Sequence, residues 1–192
     1  LISQNAYYDS FCAISDALKQ GRCYQVNYTQ PFYANYSGDS WSIFEKIRAT
    51  NPVPFSAYFR GALQELISFS PERFLAYNSG WLFTSPIKGS SCRSADKTVD
   101  EVLRYELLNS IKNRAENTMI VDLLRNDLSK VAKSGTVEVT GLCQLETYRS
   151  VHHLVSHIRA VCREEISPMR AFLSCFPGGS ITGAPKLEAM HV

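Results

Sequence analysis

The sequence predicts an α+β fold built on antiparallel β-sheets flanked by helices, and three observations carry that prediction. Strand-like and helical runs come in segregated blocks and not in strict alternation, which argues against a doubly wound parallel sheet. The central strand-like runs are separated by short turn signals, Gly61-Ala62 and Asn78-Ser79-Gly80, and strands joined so tightly pair antiparallel. The chain of 192 residues is 45% hydrophobic and 20% charged, ordinary usage for a domain able to bury its own core.

The elements follow in order. Tyr7, Phe11, Ile14 and Leu18 repeat at helical spacing, and Gly21 supplies a stop. Residues 23–30 read as a strand continuing to Tyr36, with a break or an edge at Pro31. Ser37-Gly38-Asp39 is a turn, and Trp41, Phe44 and Ile47 form a short helix that Asp39 or Ser40 can cap. Strands are expected over 55–60, 65–69, 73–77 and 81–84. A long helical region spans about 98–131, with a break near 113–116. Strands over 136–140, 142–148 and 151–161 come next, then a helix over 167–176, a loop at 177–180 and a further helix from Ala184.

Composition excludes several classes. A net charge of +2 leaves no electrostatic footprint for nucleic acid or an acidic membrane. No apolar run approaches the roughly 18 residues needed to span a bilayer. Cys12, Cys23, Cys92, Cys143, Cys162 and Cys175 are scattered without zinc-finger spacing, as expected of free thiols in a reducing cytosol. Residues 1–5 carry no signal-peptide pattern and no initiator Met, and the last helix reaches Val192 without a stop. Residues 1–192 are therefore expected to be one domain, incomplete at both ends.

Four features offer chemistry. The loop over 177–186 places three glycines and two hydroxyls before a helix start, a setting for an anion. Gly178 and Gly183 have P-loop spacing, but Ala184-Pro185 stand where the phosphate-binding Lys belongs, so a carboxylate-binding loop or a plain connector remains. Lys88, in Ser85-Pro86-Ile87-Lys88-Gly89-Ser90, is either a desolvated nucleophile at a strand end or a solvated loop lysine. Glu72 lies between two strands, and Glu116 opens an apolar helical run where it can face a cavity, bind a hard cation or serve only as an N-terminal helix charge. Asp122 and Arg125 make a structural ion pair. His152, His153 and His157 lack His-Glu-x-x-His spacing; on a strand, His153 and His157 share one face.

Four stretches carry a resemblance. They are Pro86-Ile87-Lys88-Gly89, the run from Arg114-Ala115-Glu116-Asn117 to Arg125-Asn126-Asp127, Val151-His152-His153-Leu154-Val155-Ser156, and Phe176-Pro177-Gly178-Gly179-Ser180-Ile181-Thr182-Gly183-Ala184-Pro185-Lys186. With Cys23-Tyr24-Gln25-Val26-Asn27 and Asn51-Pro52, they resemble the chorismate-utilising enzymes over essentially the whole chain. That family's fold implies two packed antiparallel sheets flanked by helices. Lys88, where anthranilate-forming relatives carry Ala, implies the branch that aminates chorismate at C4 on the way to 4-aminobenzoate and folate. The resemblance implies that Lys88 adds covalently to the ring and that Glu72 is the general acid for the departing hydroxyl. Glu116 becomes a Mg²⁺ ligand, and Gly89, His153, Gly179, Ser180, Thr182 and Lys186 line or shape the substrate pocket. It also implies a glutamine amidotransferase subunit that supplies ammonia. This sequence departs from the family at Asn113, where relatives often carry an acid, at Ser90, which replaces a common Thr, and in length. The part beyond Val192 is expected to supply further strands, a second Glu ligand and Arg and Tyr contacts. The rival expectations are the anthranilate-forming branch, a non-catalytic binding module and, more distantly, a P-loop protein.

Overall fold

The computed structural model describes residues 2–192. Two compact units divide them: residues up to Gln30 together with Phe74–Val192, and Pro31–Arg73. The α+β reading holds, with antiparallel strand pairing. Among the described residues no helix is long and apolar enough to cross a membrane.

Helix α1 (Gln4–Lys19) begins where the Ser3 hydroxyl accepts from the Ala6 amide, and Gly21 follows it at φ +72°. The strand expected over 23–30 and on to Tyr36 shrinks to β1 (Gln25–Val26). Past Val26 the described residues continue no ladder, and Pro31 brings no amide to one. In the smaller unit, α2 (Ser40–Thr50) is capped by Asp39, which accepts from the Ser42 amide at 2.8 Å. Strands β2 (Phe55–Arg60) and β3 (Glu65–Ser70) form a hairpin, Phe55 opposite Ser70 and Arg60 opposite Glu65. Phe44 fixes the helix to the hairpin, its ring 5.3 Å from Phe69 and 5.7 Å from Tyr58.

The larger unit is organised around a five-stranded sheet. Its strands are β4 (Arg73–Asn78), β5 (Trp81–Ser85), β6 (Ile87–Cys92), β7 (Glu138–Thr147) and β8 (Val151–Val161). Strands β5 and β6 share one edge of β8, Thr84 opposite Ile158 and Ile87 opposite Val155, while β7 takes the other. Residues 85–90, expected as a strand end with a turn or loop after it, are thus mostly strand. Pro86 lacks an amide, but its carbonyl accepts from Ser156 at 3.1 Å and carries the ladder across the break. β7 is one strand where two were expected, because Gly141 marks an irregularity and not a turn: the register slips between Gly141 and Gln144, with Cys143 at φ +51°.

Helices α3 (Lys97–Asn109) and α4 (Ile111–Ser129) pack on the sheet, chiefly against β6, β7 and β8. The break between them falls at Ser110, not at 113–116: its hydroxyl accepts from the Asn113 amide and caps α4. Nor is α4 buried all round. Asn117, Ile120, Val121, Leu124, Asp127 and Leu128 make one buried stripe, and Asp122 and Arg125 pair outside it at 2.9 Å. Ile120, Leu128, Leu82 and Ile158 form the heart of the core. Each contributes about 1.5–3 kcal/mol by leaving water, so packing rather than propensity holds α4 in place.

Two buried polar networks pin the helices to the sheet. Asn117 donates to the Leu154 carbonyl at 3.1 Å and accepts from Ser156 at 2.5 Å, and the Ser156 hydroxyl accepts from the Cys143 amide. His152 is a structural residue between Thr147, at 2.8 Å, and Asp100, at 3.2 Å. The Arg93 guanidinium, the Ser94 amide and His152 hold the Asp100 carboxyl well below the usual range. The C-terminal part comprises α5 (Pro168–Cys175), capped by Ser167, then α6 (Gly179–Thr182), β9 (Gly183–Ala184) and α7 (Lys186–His191). Strand β9 pairs with β1, where the sequence reading has only a loop and a helix start.

Candidate functional site

The site begins with an irregularity in β6. Ile87 stands opposite Val155, but Ser90 stands opposite His153, so Lys88 and Gly89 together oppose one residue of β8. A bulge of this kind re-aims side chains beside functional sites. Gly89 adopts φ +96°, and a Cβ there would lie 2.9 Å from the Asn113 Cβ. Backbone conformation and the closeness of α4 both demand glycine. Lys88 is half-buried, and among the described residues its ammonium has no hydrogen-bond or ion-pair partner.

His153 faces this bulge. Its Nδ1 lies 2.6 Å from the Ser90 hydroxyl, and its ring stands edge-on to Tyr148 at 5.8 Å. Burial lowers the pKa of the imidazole, against the opposing pull of the Glu146 carboxylate and a backbone hydrogen bond with Gly89. Burial thus favours the neutral imidazole, which can both donate and accept. His157 shares its face of β8, as strand periodicity predicts, but is committed elsewhere: Nε2 meets Glu146 at 3.1 Å and Nδ1 meets Ser85 at 3.2 Å. The Tyr148 hydroxyl donates to the same carboxylate, and burial, then Glu146, raises its pKa to about 12.

Helix α4 connects the bulge to the glycine-rich segment. Asn113 abuts Gly89 near its start, Leu123 abuts Gly179 further along, and Asp127 meets Lys186 near its end. Positions 113, 116, 120, 123 and 127 lie along one side, and the ten helical steps from Asn113 to Leu123 span about 15 Å. Glu116 lies between these contacts, in the second turn and not at the helix N-terminus, because α4 starts at Ile111. Its carboxylate is 41% exposed and meets Lys112 at 3.9 Å. Among the described residues no three His, Cys, Asp or Glu side chains gather to hold a metal ion. Mg²⁺ commonly keeps several waters and binds through one or two carboxylates, and Glu116, loosely paired and open to solvent, fits as one of them.

The segment over 178–186 is held from three sides. The Asn27 side chain donates to the Ser180 carbonyl at 2.7 Å, and its backbone amide donates to the Thr182 carbonyl at 2.9 Å. The Thr182 hydroxyl turns inward to the Gly178 carbonyl. Lys186 donates to Asp127 at 2.5 Å and to the Cys175 carbonyl at 2.9 Å. Glu72 belongs to the smaller unit, in the turn between β3 and β4, where the Ser70 hydroxyl donates to its carbonyl at 3.1 Å.

The fold therefore gathers Lys88, Gly89, Ser90 and His153 at the bulge. It arrays Glu116, Gly179, Ser180, Thr182 and Lys186 along or beyond α4. Sequence reasoning gives no role to Asn27 or Asp127. For Asp127 the signal is a polar residue inside an otherwise apolar stripe, where it is 1% exposed, whereas Asn27 sits among polar neighbours and carries no such signal.

Known proteins resemble this chain in sequence and in fold. The chain is 44% identical over 191 residues to aminodeoxychorismate synthase component 1 of Escherichia coli K12, a match that covers 100% of this chain and 42% of that protein. It is 34% identical to anthranilate synthase component 1 of Bacillus subtilis, over 100% of this chain and 38% of that protein. The crystal structure of anthranilate synthase component I from Streptococcus pneumoniae TIGR4 superposes with a TM-score of 0.86 at 28% identity, covering 98% of this chain and 41% of that one. The chain thus spans about two fifths of the length of these curated relatives. The family profile described as chorismate binding enzyme matches residues 1–192, and the chain belongs to that family.

Proposed function

We propose that these residues form part of the site of an enzyme that converts chorismate and ammonia to 4-amino-4-deoxychorismate, the precursor of 4-aminobenzoate and folate. The observation that carries the reading is Lys88 in the bulge of β6, between Ile87 and Gly89, with the Ser90 hydroxyl 2.6 Å from His153 Nδ1. The relatives named aminodeoxychorismate synthase support it, at 44–45% identity.

In this reading the Lys88 side-chain nitrogen adds to C2 of the chorismate ring. The two ring double bonds shift, and the C4 hydroxyl departs as water on a proton from Glu72. Ammonia then adds at C4, the double bonds return, and the Lys88 amine is expelled from C2. One difficult displacement becomes two easier ones, and the inputs and outputs balance as chorismate plus ammonia to aminodeoxychorismate plus water. Gly89, His153, Gly179 and Ser180 hold the substrate through backbone and side-chain hydrogen bonds, and Thr182 and Lys186 shape the segment that presents Gly179 and Ser180. Glu116 supplies a carboxylate to a Mg²⁺ ion that, when bound, neutralises the ring carboxylate. Ammonia comes from a glutamine amidotransferase partner, in keeping with the component 1 designation of the relatives.

A second reading, the anthranilate-forming branch, has the Streptococcus pneumoniae structure in its favour. One assay separates them. The full chain, supplied with chorismate, ammonium and Mg²⁺, is expected to form aminodeoxychorismate, and Lys88→Ala to lose most of that product while still binding chorismate. Anthranilate as the main product would establish the second reading, and wild-type rates in Lys88→Ala would remove the covalent step.

A further inference from the structure

Lys186 is placed as a clasp rather than as a ligand. Its side chain is 10% exposed and the Asp127 side chain only 2%. One donor proton goes to Asp127 Oδ2 at 2.5 Å and another to the Cys175 carbonyl at 2.9 Å. Cys175 is the last residue of α5, just before the glycine-rich segment, and Lys186 is the first residue of α7, just after it. A single ammonium thus ties the two ends of the segment to each other and both to the end of α4. Compact loops closed at their ends in this way are frequently functional. Asp127 is itself fixed from two further directions: Lys130 donates to Oδ1 at 2.9 Å, and the Cys175 thiol approaches the Asp127 carbonyl at 3.7 Å.

Two observations separate a clasp from a substrate contact. The ammonium has three donors, and two of them are spent on buried protein acceptors. The remaining contacts of the segment, Asn27 on Ser180 and Thr182, Leu123 against Gly179, Phe74 against Gly178 and the β1–β9 pairing at Gly183 and Ala184, hold it to its surroundings, while the Lys186 ammonium joins its two ends to each other. We infer that Asp127 and Lys186 are a positioning pair whose ion pair closes residues 175–186 into the shape that aims Gly179 and Ser180 at the substrate carboxylate. The inference rests on the chorismate reading for its ligand, but not for the clasp itself.

The test uses the full chain and a double variant, Asp127→Leu with Lys186→Met. Removing Lys186 alone strands a buried carboxylate, whereas replacing both partners by apolar groups of similar volume commonly preserves stability. Thermal melting, amide hydrogen exchange of residues 178–184 and calorimetric titration with chorismate are read on both proteins. The expected result is a melting temperature lowered only by the loss of the Cys175 carbonyl's donor, about 2–12 °C, with exchange of those amides about tenfold faster or more and a chorismate Kd weakened about tenfold or more. Wild-type exchange in the double variant overturns the clasp, since the pair then serves stability alone. Faster exchange with wild-type chorismate affinity overturns the positioning role. Failure of the unmodified chain to bind chorismate overturns the substrate reading beneath it, while the exchange rates still judge the clasp.

Discussion

Adding one methyl group at Gly179 perturbs the contact between the glycine-rich segment and α4 without touching a charge. A Cβ there would lie 2.4 Å from Leu123 Cδ2 and 3.1 Å from Cγ. Carbon atoms meet comfortably at about 3.5–4.0 Å, so the overlap is about 1 Å. Leu123 must leave its rotamer or the short helix α6 must move, and overpacking of this kind costs about 1–3 kcal/mol. At about 2–4 °C per kcal/mol for a chain of this size, Gly179→Ala should lower Tm by about 2–12 °C. Leu123→Ala removes Cγ and both Cδ atoms and leaves only its Cβ, at 4.0 Å. In that background Gly179→Ala should cost nothing, so the double-mutant cycle should show a favourable coupling of about 1–3 kcal/mol. Urea unfolding of the four proteins, followed by circular dichroism, measures it. An equal penalty for Gly179→Ala in both backgrounds would refute the claim that Leu123 is the floor under the segment.

Gly183→Ala should behave differently, because the obstacle is backbone: the Cβ would meet the Gln25 carbonyl at 2.2 Å, at φ +146°. A loss of about 3 kcal/mol or more is expected in urea unfolding, and Ala189→Gly, which removes only the neighbouring methyl, should not restore it. Asn117→Leu leaves the Leu154 carbonyl and the Ser156 hydroxyl without their buried partner and should cost about 1–3 kcal/mol by the same assay. His153 predicts a pH dependence. Its native pKa lies below the ordinary 6.5, so as pH falls below about 6.5 the unfolded chain takes up the proton first. Stability should be full above that pH and decline until the native pKa is passed, and His153→Gln should flatten the curve between pH 7.5 and 5.5; an unchanged slope would assign the dependence to other groups.

Where a local signal governs an element, the sequence shows it. The cap Asp39 announces α2, and the turn at Gly61 announces the β2–β3 hairpin. Strand β6 was hidden because Pro86 and Gly89 read as breakers, and the ladder that overrides them comes from β8, more than sixty residues away. The start of α4 was hidden because apolar spacing runs straight through Ser110, so Glu116 was expected at a helix terminus and lies inside the helix. For the site, the motif residues are legible by resemblance, but the partners that hold them are not. Asp127 meets Lys186 across 59 residues and Asn27 meets Ser180 across 153, pairings that exist only once the chain is folded.

The central claim is that the amine of Lys88 attacks chorismate. Intact-protein and peptide mass spectrometry of the full chain, mixed with chorismate without ammonia and acid-quenched, tests it most directly. The account predicts a mass gain of chorismate less one water on the peptide that carries Lys88, absent in Lys88→Ala and discharged as aminodeoxychorismate when ammonium is added. Steady aminodeoxychorismate formation by Lys88→Ala, or turnover by the unmodified chain with no such adduct at any quench time, would contradict it.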